Sequence, residues 1–166
     1  MADILAPPLR DSFEDGKYGF ADSSGFEPEA ARDRPRLLLI DDEPSVARFL
    51  AHAAEENGYE AKITISAENF CKAYEAEEPD VIAVDLAMPG GDGIELLRYL
   101  AERGSQAIVV IVSGFDSRVL EAAMRLGEGL GLRMAGPLHK PMRVADLLAA
   151  IRAAPAPARI GVGAQA

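Results

Sequence analysis

Arg36-Leu37-Leu38-Leu39-Ile40-Asp41-Asp42-Glu43-Pro44 decides how this chain folds. Four consecutive apolar residues end abruptly on two carboxylates, and a proline follows. A continuous apolar run suits a strand covered on both faces, because alternate side chains then meet protein on either side. Pro44 stands near the first position of a helix, where a missing N–H is not needed. Val46, Phe49, Leu50 and Ala53 follow at i, i+3, i+4 and i+7 before Gly58, which predicts an amphipathic helix with that stripe inward. The unit is strand, acidic turn, helix.

The same alternation recurs five times between residue 36 and residue 153. Val81-Ile82-Ala83-Val84 and Ala107 to Val112 are again continuous apolar runs and read as central strands. Residues 61–65 and 132–136 alternate instead, which predicts the two edge strands. Helices are expected over 67–76, from Asp92 through Ile94, Leu97 and Leu100 to Gly104, and over 144–153 with Val144, Leu147, Leu148 and Ile151 inward. Asp116 is the expected N-cap of a further helix, with Val119, Ala122, Ala123 and Leu126 on its apolar side. Right-handed crossovers and short connections then give an α/β fold: a doubly wound parallel sheet of five strands in the order 2-1-3-4-5.

Composition narrows the function. The 166 residues carry a formal charge of −10, so nucleic acid and anionic membrane surfaces, which reward basic patches, are not expected partners. The single cysteine, Cys71, forms no intrachain disulfide and fits a reducing, cytoplasmic setting. No apolar run is long enough to cross a bilayer. Residues 1–35 show no sustained period and read as a flexible acidic extension, although Phe13, Tyr18, Phe20 and Phe26 could dock on the domain or a partner. Residues 154–166 form an Ala/Pro/Gly tail, also read as flexible.

The chemistry lies at the carboxyl ends of the strands, where open α/β sheets bind ligands. Asp41 and Asp42, Asp85, Ser113 and Lys140 all fall there. Singly, each aspartate reads as a helix cap or a surface charge. Strands 1 and 3 are neighbours in the expected order, however, so three carboxylates must crowd together and repel by a few kcal/mol at an effective dielectric of about 20. Mg²⁺ and the Lys140 ammonium would relieve that repulsion. A hydroxyl and an ammonium beside carboxylates also suit a phosphoryl group, toward which an ionised Asp85 is a competent nucleophile.

Together, Asp41-Asp42, the segment from Asp85 through Ala87, Met88-Pro89 and Gly90-Gly91 to Gly93, Ser113-Gly114 and Lys140-Pro141 resemble the receiver domain of two-component response regulators over residues 36–153. The resemblance implies the flavodoxin-like receiver fold and names Asp85 as phosphoacceptor, supplied by a histidine kinase or phosphotransfer protein. It implies Mg²⁺ held by Asp42, Asp85 and the backbone carbonyl of Ala87, with Asp41 acting through water. Ser113 and Lys140 would contact the phosphoryl group. One position departs from the pattern: receivers usually carry an aromatic three residues before this lysine, and here stands Pro137, which has no rotamer to switch. Signalling would then pass through the loop from Ser113 to Asp116 and the helix after it, with Phe115 as a candidate aromatic lever. The glycines at 127, 129 and 131 and the run Gly136-Pro137-Leu138-His139 also resemble receivers fused to cyclic-di-GMP phosphodiesterase domains.

His52 and His139 are expected to be solvated, and Cys71 to be a small core or boundary residue. The expected function is a stand-alone receiver that acts through an unknown downstream protein or serves as a phosphoryl relay or sink. It is not expected to be an enzyme beyond self-phosphorylation from small donors and autodephosphorylation. Two other readings share the fold: an aspartate-nucleophile phosphatase or phosphotransferase, and a phosphorylation-independent scaffold. Ala87 counts against the first, because such enzymes place a general acid two residues after the nucleophile.

Overall fold

The computed structural model describes residues 34–90 and 92–154, the side chain of Asp92 excepted. The sequence expectations for the N-terminal extension and its aromatics, for Gly91, and for the end of the chain fall outside those residues. Ten elements alternate: β1 (Arg36–Ile40), α1 (Pro44–Glu56), β2 (Glu60–Thr64), α2 (Ala67–Ala76), β3 (Val81–Asp85), α3 (Asp92–Glu102), β4 (Ile108–Ser113), α4 (Ser117–Gly129), β5 (Arg133–His139) and α5 (Val144–Ala153). The strands pair in parallel in the order β2-β1-β3-β4-β5.

Each central strand feeds two cores. Leu38, Ile40, Ile82, Val84, Val109 and Ile111 pack with Phe70 of α2, Leu97 and Leu100 of α3 and Leu120 of α4. Leu37, Leu39, Val81, Ala83, Val110 and Val112 meet Leu50 and Ala54 of α1 and Leu147 and Ile151 of α5 on the other side. The unbroken apolar runs follow from this double coverage, at roughly 1.5–3 kcal/mol for each large side chain removed from water.

Two expectations about helix faces need correction. Phe49 is 53% exposed, because α1 rests on the sheet through Ala47, Leu50, Ala51, Ala53 and Ala54 instead. On α4 the buried set is Leu120, Ala123 and Gly127, while Val119 and Ala122 face outward. Small residues set both rotations: Gly127 lies so close to β5 that a Cβ there would run into the Met134 side chain. On β2 burial is light, as suits an edge strand, with Ala61 half-buried and Thr64 buried. Ile63 is exposed, and Thr64 is buried with its hydroxyl donating to the Leu39 carbonyl at 2.8 Å.

β5 is longer than the alternating segment suggests. Val110 pairs with Ala135 but Val112 pairs with Leu138, so β5 carries one extra residue at Gly136-Pro137. Gly136 has φ +93, open to glycine without strain, and a proline at a bulge on an edge strand forfeits no ladder bond. The bulge lets β5 include Pro137 and still bring His139 level with Ser113.

Candidate phosphoacceptor site

Four strand ends build the site. Asp41 follows β1, Asp85 closes β3, Ser113 closes β4, and Lys140 follows β5. Their backbones are tied as well: the Asp41 N–H donates to the Thr64 carbonyl at 3.2 Å, and the Lys140 N–H to the Ser113 carbonyl at 3.0 Å. The side chains of Asp41, Asp85 and Ser113 are buried at 1%, 3% and 0% exposure, while Asp42 is exposed.

Lys140 bridges the two buried carboxylates. Its Nζ donates to Asp41 Oδ2 at 2.6 Å and to Asp85 Oδ2 at 2.9 Å. The other oxygens are held by backbone: Asp41 Oδ1 accepts from the Glu43 N–H at 2.9 Å and Asp85 Oδ1 from the Ala87 N–H at 2.8 Å. Burial pushes the Asp41 carboxyl above the usual carboxylate range, and the bonds from Lys140 and Glu43 only partly offset it. Burial opposes the charge on Lys140 too, yet its bonds to Asp41 and Asp85 and their negative charges outweigh it and hold the ammonium above the ordinary lysine value. Both directions are compatible, because one cation serves two carboxylates.

A cation site fits these residues. Asp41, Asp42 and Asp85 each offer a carboxylate oxygen, all within 4.8 Å of one another. The cluster carries three negative charges against one ammonium, and hard oxygen donors are the ligands Mg²⁺ prefers.

Ser113 sits beside the aspartates on the adjacent strand, paired with His139 across β4–β5, and its Oγ accepts from the Phe115 N–H at 3.3 Å. Pro137 lies within the β5 bulge, half-buried. His52 and His139 are exposed, His52 with Glu56 at 3.5 Å, and Cys71 is half-buried. Reading the sequence missed a groove of about 480 Å³ that runs from Lys140 along α1, lined by Glu43, Ser45, Val46, Phe49, Leu50, Pro141 and Met142. Its only signal was Phe49, whose helical spacing matches a core position.

A family model for the response regulator receiver domain matches residues 37–152. The chain belongs to that family. Receiver domains take phosphoryl groups from histidine kinases and generally bind Mg²⁺ at an acidic pocket. Among curated proteins it is similar to the positive alginate biosynthesis regulatory protein of Pseudomonas aeruginosa, 31% identical over 132 residues that cover 77% of this chain and 50% of that one. It is also similar to the response regulator MprA of Mycolicibacterium vanbaalenii, 28% identical over 118 residues, 71% of this chain and 49% of the relative. The chain thus spans about half the length of the curated relatives it matches. Among solved structures, it superposes on a Burkholderia pseudomallei response regulator with a phosphorylated aspartic acid and a calcium ion. The TM-score is 0.62 at 27% identity, over 70% of this chain and 66% of that one. A beryllofluoride-activated NtrC4 receiver domain dimer gives a TM-score of 0.61 at 26% identity, over 70% of this chain and 93% of that one. Among the described residues no helix is long and apolar enough to cross a membrane.

Proposed function

We propose that a histidine kinase or phosphotransfer protein phosphorylates this chain on Asp85, and that the modification governs contacts with a downstream protein or passes on as a relay. The observation that carries this reading is the bridge of Lys140 to Asp41 and Asp85, which holds two buried carboxyl groups beside one cation. In the transfer, an Asp85 carboxylate oxygen bonds to the phosphorus of a phosphohistidine as the P–N bond breaks. The imidazole nitrogen keeps the electron pair and takes up a proton. Asp42, Asp85 and the Ala87 carbonyl would hold Mg²⁺, with Asp41 acting through water, and the ion would neutralise phosphoryl oxygen charge. Lys140 pairs with one phosphoryl oxygen, and the Ser113 hydroxyl donates to another.

The donor must come within contact of Asp85, and the groove along α1 starts at Lys140 beside it. Phe49, 53% exposed, Val46, Pro141 and Met142 offer apolar surface for that donor to cover. The acidic, single-cysteine composition suits a cytoplasmic module. Steady turnover of phosphate esters is disfavoured, because Ala87 brings no acid to protonate a leaving group. The B. pseudomallei relative with its phosphorylated aspartic acid supports the reading by similarity.

Acetyl phosphate with Mg²⁺ tests it. Intact-protein mass should rise by one phosphoryl group in the wild type and stay unchanged in Asp85→Asn. Labelling of Asp85→Asn to the wild-type level, or no labelling of either, refutes the assignment.

A further inference from the structure

We propose that Phe115 is the positioning residue that carries the state of Ser113 to α4, in place of an aromatic on β5; this rests on phosphorylation at Asp85 and deepens it. Pro137 leaves β5 without a rotamer to turn, and the ring closest along the chain to the site hydroxyl is Phe115, two residues beyond it. The Phe115 N–H donates to Ser113 Oγ at 3.3 Å, longer than the usual backbone bond of about 2.9–3.0 Å and correspondingly easy to break. The hydroxyl is buried, so a phosphoryl oxygen on the neighbouring strand would be a new partner that draws it away from Phe115.

The loop that would carry such a shift is short. Only Gly114 and Phe115 separate Ser113 from Asp116, whose carboxylate caps α4 by accepting from the N–H groups of Arg118 at 2.8 Å and Val119 at 3.2 Å. A Cβ built at Gly114 would meet no atom within 4 Å, so nothing packs against that side of the loop. The Phe115 ring is 43% exposed and Val119, the next apolar residue of α4, is also 43% exposed, so neither is locked in the core. Movement of the hydroxyl therefore passes through the Phe115 N–H to the ring and the first turn of α4. The small Gly127 contact against Met134 allows α4 a close seat on β5 at its far end.

The chain contains no tryptophan, so Phe115→Trp gives a single fluorescent reporter. Its emission should shift when beryllofluoride and Mg²⁺ are added to the full chain, with bound beryllofluoride followed separately by fluorine NMR. The shift per bound beryllofluoride should fall several-fold when Ser113→Ala is added. In Phe115→Ala, backbone NMR shifts on beryllofluoride addition should persist at Asp85 and Ala87 and largely disappear from Val119 and Leu120. Bound beryllofluoride with an unmoved tryptophan, an emission shift undiminished by Ser113→Ala, or α4 shifts undiminished in Phe115→Ala each overturn the relay. No bound beryllofluoride in the wild type overturns the phosphorylation reading itself and the relay with it.

Discussion

Replacing Lys140 by methionine removes the ammonium and keeps most of the aliphatic stem. Asp41 and Asp85 are then left 1% and 3% exposed, with carboxylate oxygens within 4.8 Å of each other and no cation between them. At an effective dielectric of about 20, their repulsion at that separation is about 3.5 kcal/mol. Breaking a buried ion pair by removing one partner costs about 3–5 kcal/mol, in the same range. Protonation sets a ceiling. Holding a proton at pH 7 on a carboxyl with an ordinary value near 3.9 costs about 4 kcal/mol, at about 1.36 kcal/mol per unit. Asp41, already raised by burial, is the natural site for that proton.

Lys140→Met should therefore lose about 3–4 kcal/mol of unfolding free energy at pH 7 in metal-free buffer. The folded carboxyl's pKa lies above its unfolded value, so this deficit is absent below about pH 4 and grows as pH rises. At pH 5 the ceiling has shrunk to about 1.5 kcal/mol. Mg²⁺ should restore part of the loss, up to about 2.7 kcal/mol at a hundred times its Kd. It should stabilise the variant more than the wild type, where it competes with Lys140 for Asp41. Urea denaturation at pH 7 and pH 5, with and without Mg²⁺, measures each term. Equal midpoints for variant and wild type at pH 7, or a deficit as large at pH 5 as at pH 7, would refute this account of the site.

Other consequences are simpler. Gly93→Ala adds a methyl group 2.9 Å from the Leu86 Cα and 3.0 Å from the Asp85 carbonyl, both backbone. It should destabilise by about 1–3 kcal/mol despite alanine's better helix propensity, as a lower urea midpoint would show. Burial and the bond to Glu75 at 3.1 Å push Tyr99 up to about 12. Tyr99→Phe should remove an ultraviolet tyrosinate transition at that pH, and Tyr99's support of the fold should fade only as pH climbs from about 10 toward 12. Phe49→Ala, at an exposed position, should change stability by less than about 0.5 kcal/mol. It should nevertheless slow phosphotransfer from a kinase several-fold and leave labelling by acetyl phosphate unchanged; equal slowing of both would refute the docking role of the groove.

The sheet order was legible because continuous and alternating apolar runs report how many faces of a strand are covered. The aspartates, Ser113 and Lys140 were legible because strand ends converge in a parallel sheet whatever the helices do. Helix faces were less so. Phe49 and Val119 have core spacing, yet alanines on α1 and Gly127 on α4 let those helices sit closer and rotate, and apolar period alone does not reveal that. On β2 the edge position was legible, but the hydroxyl bond that holds Thr64 inward against the Leu39 carbonyl was not.

The linear order of residues by itself determined the layering, the strand sequence and which chemical groups reach one edge, since those follow from burial period and chain connectivity. Only tertiary packing decided that one ammonium spans two buried carboxylates, that β5 bulges at Pro137, and that a groove opens beside Lys140. Those depend on distances of a few ångströms between segments far apart in the chain, which local pattern does not encode.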